Sequence, residues 1–475
     1  MRIAGHAYEV LSSQDIGLIH ASALAILDRM GMEVQDGRLL SALAEVGARV
    51  DLEAQRATFP PSLVESFIAD APKHDWIAAR PSVRGSAGIY HSLYHAPDSG
   101  QLAPWSEEAL AFYMALPRHL SHVRDASMLG CRLPVPPPLE PLYERYYCWK
   151  YGGRESGAIH RGDLCPYLLD VYQALAQERG QPISELFHAA VYLVPALKLA
   201  RHEAYQVAYF RERGLRVSIG DMLTMGATTP ATMAGGVTLN LAEQLALRIL
   251  EWALYGERRL HLGAALSVMD MRTTIRPFGR PEMTITNLMT AQLARYYGAS
   301  FSAQAGLTDA KLPSVEAGMQ KAMTAVPVVL AGGSFRLDAG LLAIDEVCSP
   351  IQMIFDNELL SALEHLTREF DVDAESIGLD TILDIGPGGH YLDQRHTVRY
   401  FREEHWQPSI WSRRMLGAWQ QEGCPLDVDR AREIALQAQA EERKRPWQGM
   451  SETLEREVLR IIEQARQALA RRGEL

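Results

Sequence analysis

No uninterrupted apolar run of about 18 residues occurs in the chain, so no membrane-spanning helix is expected. Cysteine is scarce and scattered. Cys131, Cys148, Cys165, Cys348 and Cys424 share no CxxC spacing and are odd in number, which excludes a disulfide framework or structural zinc knot and reads as reduced, mostly buried thiols. A basic excess is also missing. Lys and Arg number 47 against 58 Asp and Glu, for a net charge of −11. Those cations are spread out except in a helical tail, so no nucleic-acid partner is expected. The opening residues Met1 to His6 lack the apolar core and cleavage site of a secretory signal, and a cytoplasmic location is the expectation.

What is present reads as one large α/β unit. In the first 80 residues, Ile16, Ile19, Leu24, Leu27 and Met30 predict a helix face, with a stop at Gly31 and a short strand to Val34. A helix over Arg38 to Val46, a hairpin from Val50 to Phe59 and a helix from Ser62 follow. Residues 1–85 are therefore read as a helical cap. Residues 90–153 are rich in Pro, Tyr and Trp, which predicts loops and lids. Beyond residue 155 the pattern is strand, loop, helix, repeated: strands at 216–222, 259–268, 300–306 and 334–342, and helices at 231–255, 282–297, 315–330 and 350–370. Further strands are predicted near 122–125, 157–160, 189–194 and 381–385. Eight parallel strands with crossover helices predict a closed (β/α)₈ TIM barrel over residues 86–400, with extra helices before it and over 401–475. The last of these is a charged amphipathic run from Ser451 to Arg472.

Several segments, taken in order, resemble the trimethylamine methyltransferase family, in its branch without pyrrolysine. They are Ile19-His20-Ala21-Ser22, Phe59-Pro60, Gly226-Ala227-Thr228-Thr229-Pro230, Asn240 to Glu243, Gln292 to Tyr296, Thr308-Asp309-Ala310-Lys311, Ser349-Pro350, Asp356-Asn357-Glu358, Gly386-Pro387-Gly388-Gly389-His390-Tyr391-Leu392 and Phe401 to Glu404. The chain departs from the pattern at Ser314-Val315-Glu316, at Gln320 and at Trp411 to Arg414, and residues 133–149 match it poorly. The resemblance implies methyl transfer from a quaternary amine such as a betaine to a corrinoid (cobamide) carried by a separate corrinoid protein, with no tightly bound cofactor, and assembly as a homo-oligomer.

That chemistry asks little of the chain itself. A quaternary nitrogen already carries its charge, so it leaves as a neutral amine without a proton, and the nucleophile is expected to be the cobalt of the partner. No catalytic nucleophile is assigned within the chain. Its task is positioning in a dry pocket. Aromatic faces suit an onium ion, and Tyr90, Tyr94, Trp105, Tyr146, Tyr147, Trp149, Tyr151 and Tyr391 are candidates for such a cage. The substrate-binding set read from strand ends is Tyr94, Arg272, Asp309, Lys311, Glu346, His390 and Tyr391. Gly386, Gly388 and Gly389 form the turn assigned to the cofactor side of the mouth. Asp309, Asp345 and Glu346 read equally as counter-charges or as loop and helix caps. His390, His396 and His405 fit no zinc spacing, so no metal is expected. Two other readings stay open: a barrel enzyme using a metal or S-adenosylmethionine, and a non-catalytic relative that binds a quaternary amine or a corrinoid protein.

Overall fold

The computed structural model describes residues 9–89, 93–131, 133–159, 161–445, 447 and 449–475. The N-terminal unit follows the sequence closely. Helix Ser13–Arg29 opens on a capping box in which Ser12 and Asp15 satisfy each other's backbone donors. Strand Met32–Val34, helix Gly37–Glu45, the hairpin of Arg49–Asp51 with Arg56–Thr58, and helix Pro61–Asp70 come next. Leu27, Leu39, Leu43, Phe59 and Phe67 are fully buried there, each contributing roughly 1.5–3 kcal/mol. The unit is tied to the rest by Met32–Val34, which pairs in parallel with Lys198–Leu199, and by packing on helix Met233–Tyr255. Covered on one side by these helices and on the other by strands, that helix is apolar around most of its girth.

Eight strands are each followed by a helix: β1 (Val83–Ile89), β2 (Val123–Met128), β3 (Arg154–Glu155), β4 (Ala190–Tyr192), β5 (Ser218–Gly220), β6 (His261–Ala264), β7 (Ser300–Ala303) and β8 (Ser334–Ala339). Six of them form one curled parallel sheet in the order β6-β7-β8-β1-β2-β3. β4 and β5 pair in parallel with each other. Just beyond β3, Ala158 bridges to Ala190, and just beyond β5 and β6, Thr224–Met225 pairs in parallel with Ser267–Val268.

Two strand expectations are corrected. Residues 381–385 lie in a helix, Leu379–Ile385, because Asp373 caps the preceding turn through the N–H groups of Glu375 and Ser376 and Gly386 ends the run. The missing strand is β1, which starts inside the segment read as the cap. Residues 90–153 are also more regular than expected: besides β2 they hold helices Glu107–Ala115 and Glu140–Lys150.

A buried ion pair locks the outer helices to the sheet. Lys321 Nζ donates to Asp356 Oδ2 at 2.8 Å, with both side chains 1 % exposed. Asp356 also accepts from the Gly340 N–H at 2.7 Å and from Gln352 Nε2 at 2.9 Å. Helix Val315–Leu330, helix Pro350–Leu366 and the end of β8 therefore meet on one carboxylate. Asp356→Ala is expected to lower stability by about 3–5 kcal/mol in urea unfolding, since it strands the Lys321 ammonium; the double change Lys321→Met with Asp356→Leu should recover most of that loss.

Candidate active site at the strand ends

β6, β7 and β8 alternate in a way that parallel strands covered on both faces usually do not. In β8, Leu337 and Ala339 are buried, while Ser334, Arg336 and Asp338 line a cavity on the concave face that Phe335 also borders. Ser302, Gln304 and Gly263 do the same on β7 and β6. The concave side of the sheet thus carries polar side chains among small apolar ones, and it borders an open cavity of about 490 Å³ reached also by Arg84, Arg154 and Asp221. Arg336 Nη2 lies 3.3 Å from Asp338 Oδ1, and Arg154 Nη2 lies 3.5 Å from Asp125 Oδ2. Gly88 leaves the room Asp338 needs, since an added Cβ would stand 3.2 Å from its Oδ1.

Tyr192 and Asp221 close the carboxyl ends of β4 and β5. The Tyr192 ring lies over Gly220, where any Cβ would come within 2.7 Å of it. About half of the residue remains exposed. Asp221 is half-buried, and withdrawal of its carboxyl from solvent raises its affinity for the proton against the opposing pull of a Gln244 hydrogen bond. Its Oδ2 has no hydrogen-bond partner among the described residues. Arg276 donates to the Ala265 carbonyl at the end of β6 while its Nε is unpartnered, and burial lowers its pKa to about 10 against the pull of Asp345 and Asp221. Buried polar atoms without partners are costly. Asp221 lines the cavity, and Arg276 lies within electrostatic reach of it.

The residues expected from sequence are dispersed. Tyr94 is buried against Trp105, ring centroids 5.0 Å apart, in the layer between sheet and helices. Arg272, Lys311 and Glu346 are exposed loop residues. Asp309 spends its carboxylate on the N–H groups of Phe278 and Gly279, at 2.7 and 3.2 Å, so it takes the loop-positioning role of its two readings. His390 and Tyr391, with Gly386, Gly388 and Gly389, lie on an exposed segment beyond helix Pro350–Leu366, because residues 381–385 are helix and do not end at the cavity. Tyr146 and Trp149 donate to Glu455 and Glu155, and Tyr151 to Glu107, so that aromatic cluster packs helix Glu140–Lys150 in place. Tyr90 lies outside the described residues. Among the described residues no three His, Cys, Asp or Glu side chains converge as a metal site.

The sequence profile described as "Trimethylamine methyltransferase (MTTB)" matches residues 2–85 and 187–465. The chain belongs to the trimethylamine methyltransferase family. It is therefore a methyltransferase. Among curated proteins it is 25% identical over 431 residues to the glycine betaine methyltransferase of Desulfitobacterium hafniense (strain Y51), covering 87% of this chain and 89% of that one. It is 24% identical over 456 residues to the trimethylamine methyltransferase MttB of Desulfitobacterium hafniense (strain DSM 10664 / DCB-2), covering 92% and 90%. Against the trimethylamine methyltransferase MttB1 of Methanosarcina acetivorans it is 27% identical over 445 residues, covering 87% of each. The solved monomethylamine methyltransferase of Methanosarcina barkeri aligns over 91% of this chain and 93% of its own with a TM-score of 0.42 and 13% identity.

Sequence reading did not name Tyr192, Asp221, Arg276, Gln304 or Asp338, which stand at or near the carboxyl ends of the strands or on the loops that leave them. The signal was there in β7 and β8, where Ser300 and Ser302, then Ser334, Arg336 and Asp338, put a polar residue at every second position, as a wet interior requires. Behind the mouth, Glu243 accepts the Leu197 N–H and so fixes the loop that follows Tyr192. Burial, with Asp221 nearby, raises its pKa to about 8. The native state thus holds a proton that the unfolded chain releases above about pH 4.5, and stability from this group falls as pH rises from there to about 8, by up to about 1.4 kcal/mol per unit. Glu243→Gln, which mimics the protonated form, is expected to lose less melting temperature between pH 5 and pH 8 than the parent; an identical loss in both would show that the carboxyl is ionised in the fold.

Proposed function

We propose that this methyltransferase takes a methyl group from a quaternary amine bearing a carboxylate, a betaine-like zwitterion, and passes it to a corrinoid on a separate protein. The observation that carries this reading is the half-satisfied Asp221 carboxylate on the cavity wall, with Tyr192 at the end of the neighbouring strand and Arg276 within electrostatic reach. An aromatic face and a desolvated anion together suit a cation that has no N–H to donate. Arg276, and Arg336 or Arg154 deeper in the cavity, can meet a carboxylate. A volume of about 490 Å³ suits a small amine.

The proposed architecture is a complete (β/α)₈ barrel with a cap before β1 and helices after it. It is supported by the Ala158–Ala190 bridge and the Thr224–Ser267 pairing, which would carry the curled sheet through β4 and β5 back to β6. The strand ends would then share one mouth. Met222, Met271 and Ile275, exposed in the loops after β5 and β6, give that mouth an apolar rim on which a flat macrocycle can rest. When docked there, the reduced corrinoid would supply the nucleophile. The chain's own residues hold the onium so that one methyl faces the opening, and they exclude water. As the carbon–nitrogen bond breaks its electron pair stays on nitrogen, and the neutral tertiary amine leaves without any residue delivering a proton. Assembly of several copies, and a cytoplasmic setting in which the four buried thiols stay reduced, belong to the same reading.

The test is to mix the purified chain with a reduced corrinoid protein and a panel of betaines, amines and carboxylate-free quaternary ammonium ions, following the corrinoid absorbance. A change with zwitterionic quaternary amines is expected; none with any quaternary amine overturns the reading. Tyr192→Ala should lower kcat/KM by about 30-fold, as loss of a desolvated cation–π contact of about 2 kcal/mol implies, while Tyr192→Phe should stay within a few-fold of the parent. Equal losses in the two variants would remove Tyr192 from the onium site.

A further inference from the structure

The charges on the cavity wall do not cancel. Arg84, Arg154 and Arg336 line it together with Asp221 and Asp338. Arg336 leans on Asp338 at 3.3 Å, and Arg154 on Asp125 at 3.5 Å. With Asp221 given to the onium, one cation is left over. It is Arg84, which makes no ion pair or hydrogen bond among the described residues.

The surroundings of Arg84 offer donors. In the parallel register of β8 and β1 it stands beside Arg336, so both side chains leave the same face of the sheet one strand spacing, about 4.8 Å, apart. Like charges set so close repel each other, and an anion between them removes the repulsion. Two residues further along β1, Ser86 is 2 % exposed and its hydroxyl has no partner among the described residues. The acid beside Ser86 in the register, Asp338, is already taken by Arg336. A carboxylate can share its two oxygens among such donors, and a guanidinium can grip both of them at once.

The wall between Asp221 and Arg84 is neutral. One row of the register runs through Gly263, Ser302 and Ser334 on β6, β7 and β8, and all three residues line the cavity. The Ser302 hydroxyl is held by His261, and that of Ser334 accepts the Ser82 N–H at the start of β1. From β6 to β1 is three spacings of about 4.8 Å, or roughly 14 Å along the curled sheet. Asp221 lies farther still, on the segment whose continuation pairs beyond the end of β6. A betaine with a single carbon between nitrogen and carboxylate holds its two charges too close together to meet both ends of this wall.

We infer that Arg84 determines specificity by taking the carboxylate of a betaine in which at least three carbons separate that group from the quaternary nitrogen at Asp221. The inference rests on the proposed function and narrows its substrate class.

Calorimetric titration of the full chain tests this without a corrinoid. The probes are trimethylammonio carboxylates with one to five methylenes in the spacer, and alkyltrimethylammonium ions of equal length that end in a methyl group. A betaine with three to five methylenes is expected to bind about tenfold or more tightly than the one-methylene betaine. Arg84→Gln should cost that long betaine about tenfold or more, as loss of a charge-assisted contact implies, and change the carboxylate-free ion of the same length by less than about twofold. Arg84→Lys, which keeps the charge without the fork, should fall between the two. Equal weakening of both kinds of ligand would show that Arg84 serves the fold and overturn the inference. A preference for the one-methylene betaine, or long betaines that bind Arg84→Gln as tightly as the parent, would overturn it too and leave the proposed function standing. A chain that binds no quaternary ammonium ion overturns both.

Discussion

Every strand of the curled sheet runs the same way, and that constraint decides where chemistry can sit. Parallel neighbours must be joined by a crossover helix, so each unit of the chain begins and ends its strand on the same two sides. Tyr192, Asp221, Gln304 and Asp338, far apart in sequence, stand at or near the carboxyl ends of β4, β5, β7 and β8 for this reason alone. Loops leaving that side add Arg276. The opposite ends carry His261, whose ring is held between the hydroxyls of Ser300 and Ser302 and kept neutral by burial, with a pKa lowered to about 4. At the carboxyl ends, by contrast, Asp221, Arg276 and Gln304 each keep a buried polar atom without a partner among the described residues.

The unsatisfied end is expensive. A carboxylate with one bare oxygen, a guanidinium with an idle Nε and the Gln304 carbonyl oxygen without a donor together cost several kcal/mol in an apolar setting. The fold tolerates this because rigid groups surround it: Glu243 pins the loop after Tyr192, Asp309 pins the loop carrying Phe278, and Lys321 with Asp356 ties two outer helices to the end of β8. On the proposed reading the cost is recovered on binding. A methylated onium ion cannot hydrogen-bond, so recognition falls to ring faces and full charges already in place before the substrate arrives, which is the arrangement that loses least entropy on association.

Much of this was legible and some was hidden for physical reasons. Helix Val315–Leu330 could be placed to the residue because Ser314 is a side-chain cap and its apolar period is clean. β1 could not, since Val83-Arg84-Gly85-Ser86-Ala87-Gly88-Ile89 has two glycines where a strand would show branched residues. Those glycines are themselves consequences of packing: a Cβ on Gly85 would come within 2.4 Å of Leu360, and one on Gly88 would crowd Asp338. The same blindness applied to the site. Tyrosines and tryptophans are dense in residues 143–151, which drew the search for an onium cage, yet they hold a helix against Glu107, Glu155 and Glu455. The four tyrosines and one tryptophan of residues 143–151 are spent on packing, and on the proposed reading the single Tyr192 counts because the strand end is where the topology opens.

The family profile leaves out residues 86–186, and the omission falls on one side of the cavity. Tyr192, Asp221 and Arg276 lie in the matched part; Asp125 and Arg154, on β2 and β3, lie in the unmatched part together with helices Glu107–Ala115 and Glu140–Lys150. The two Desulfitobacterium relatives are both methyltransferases by name, while the amines in their names, glycine betaine and trimethylamine, differ. On the proposed reading the methylated nitrogen sits on the shared side and the remainder of the substrate reaches towards β2 and β3. The part of the chain that the profile does not describe is then the part that chooses the amine, and the Arg154–Asp125 pair, only partly buried and 3.5 Å apart, is the place where a different acid or base would change that choice.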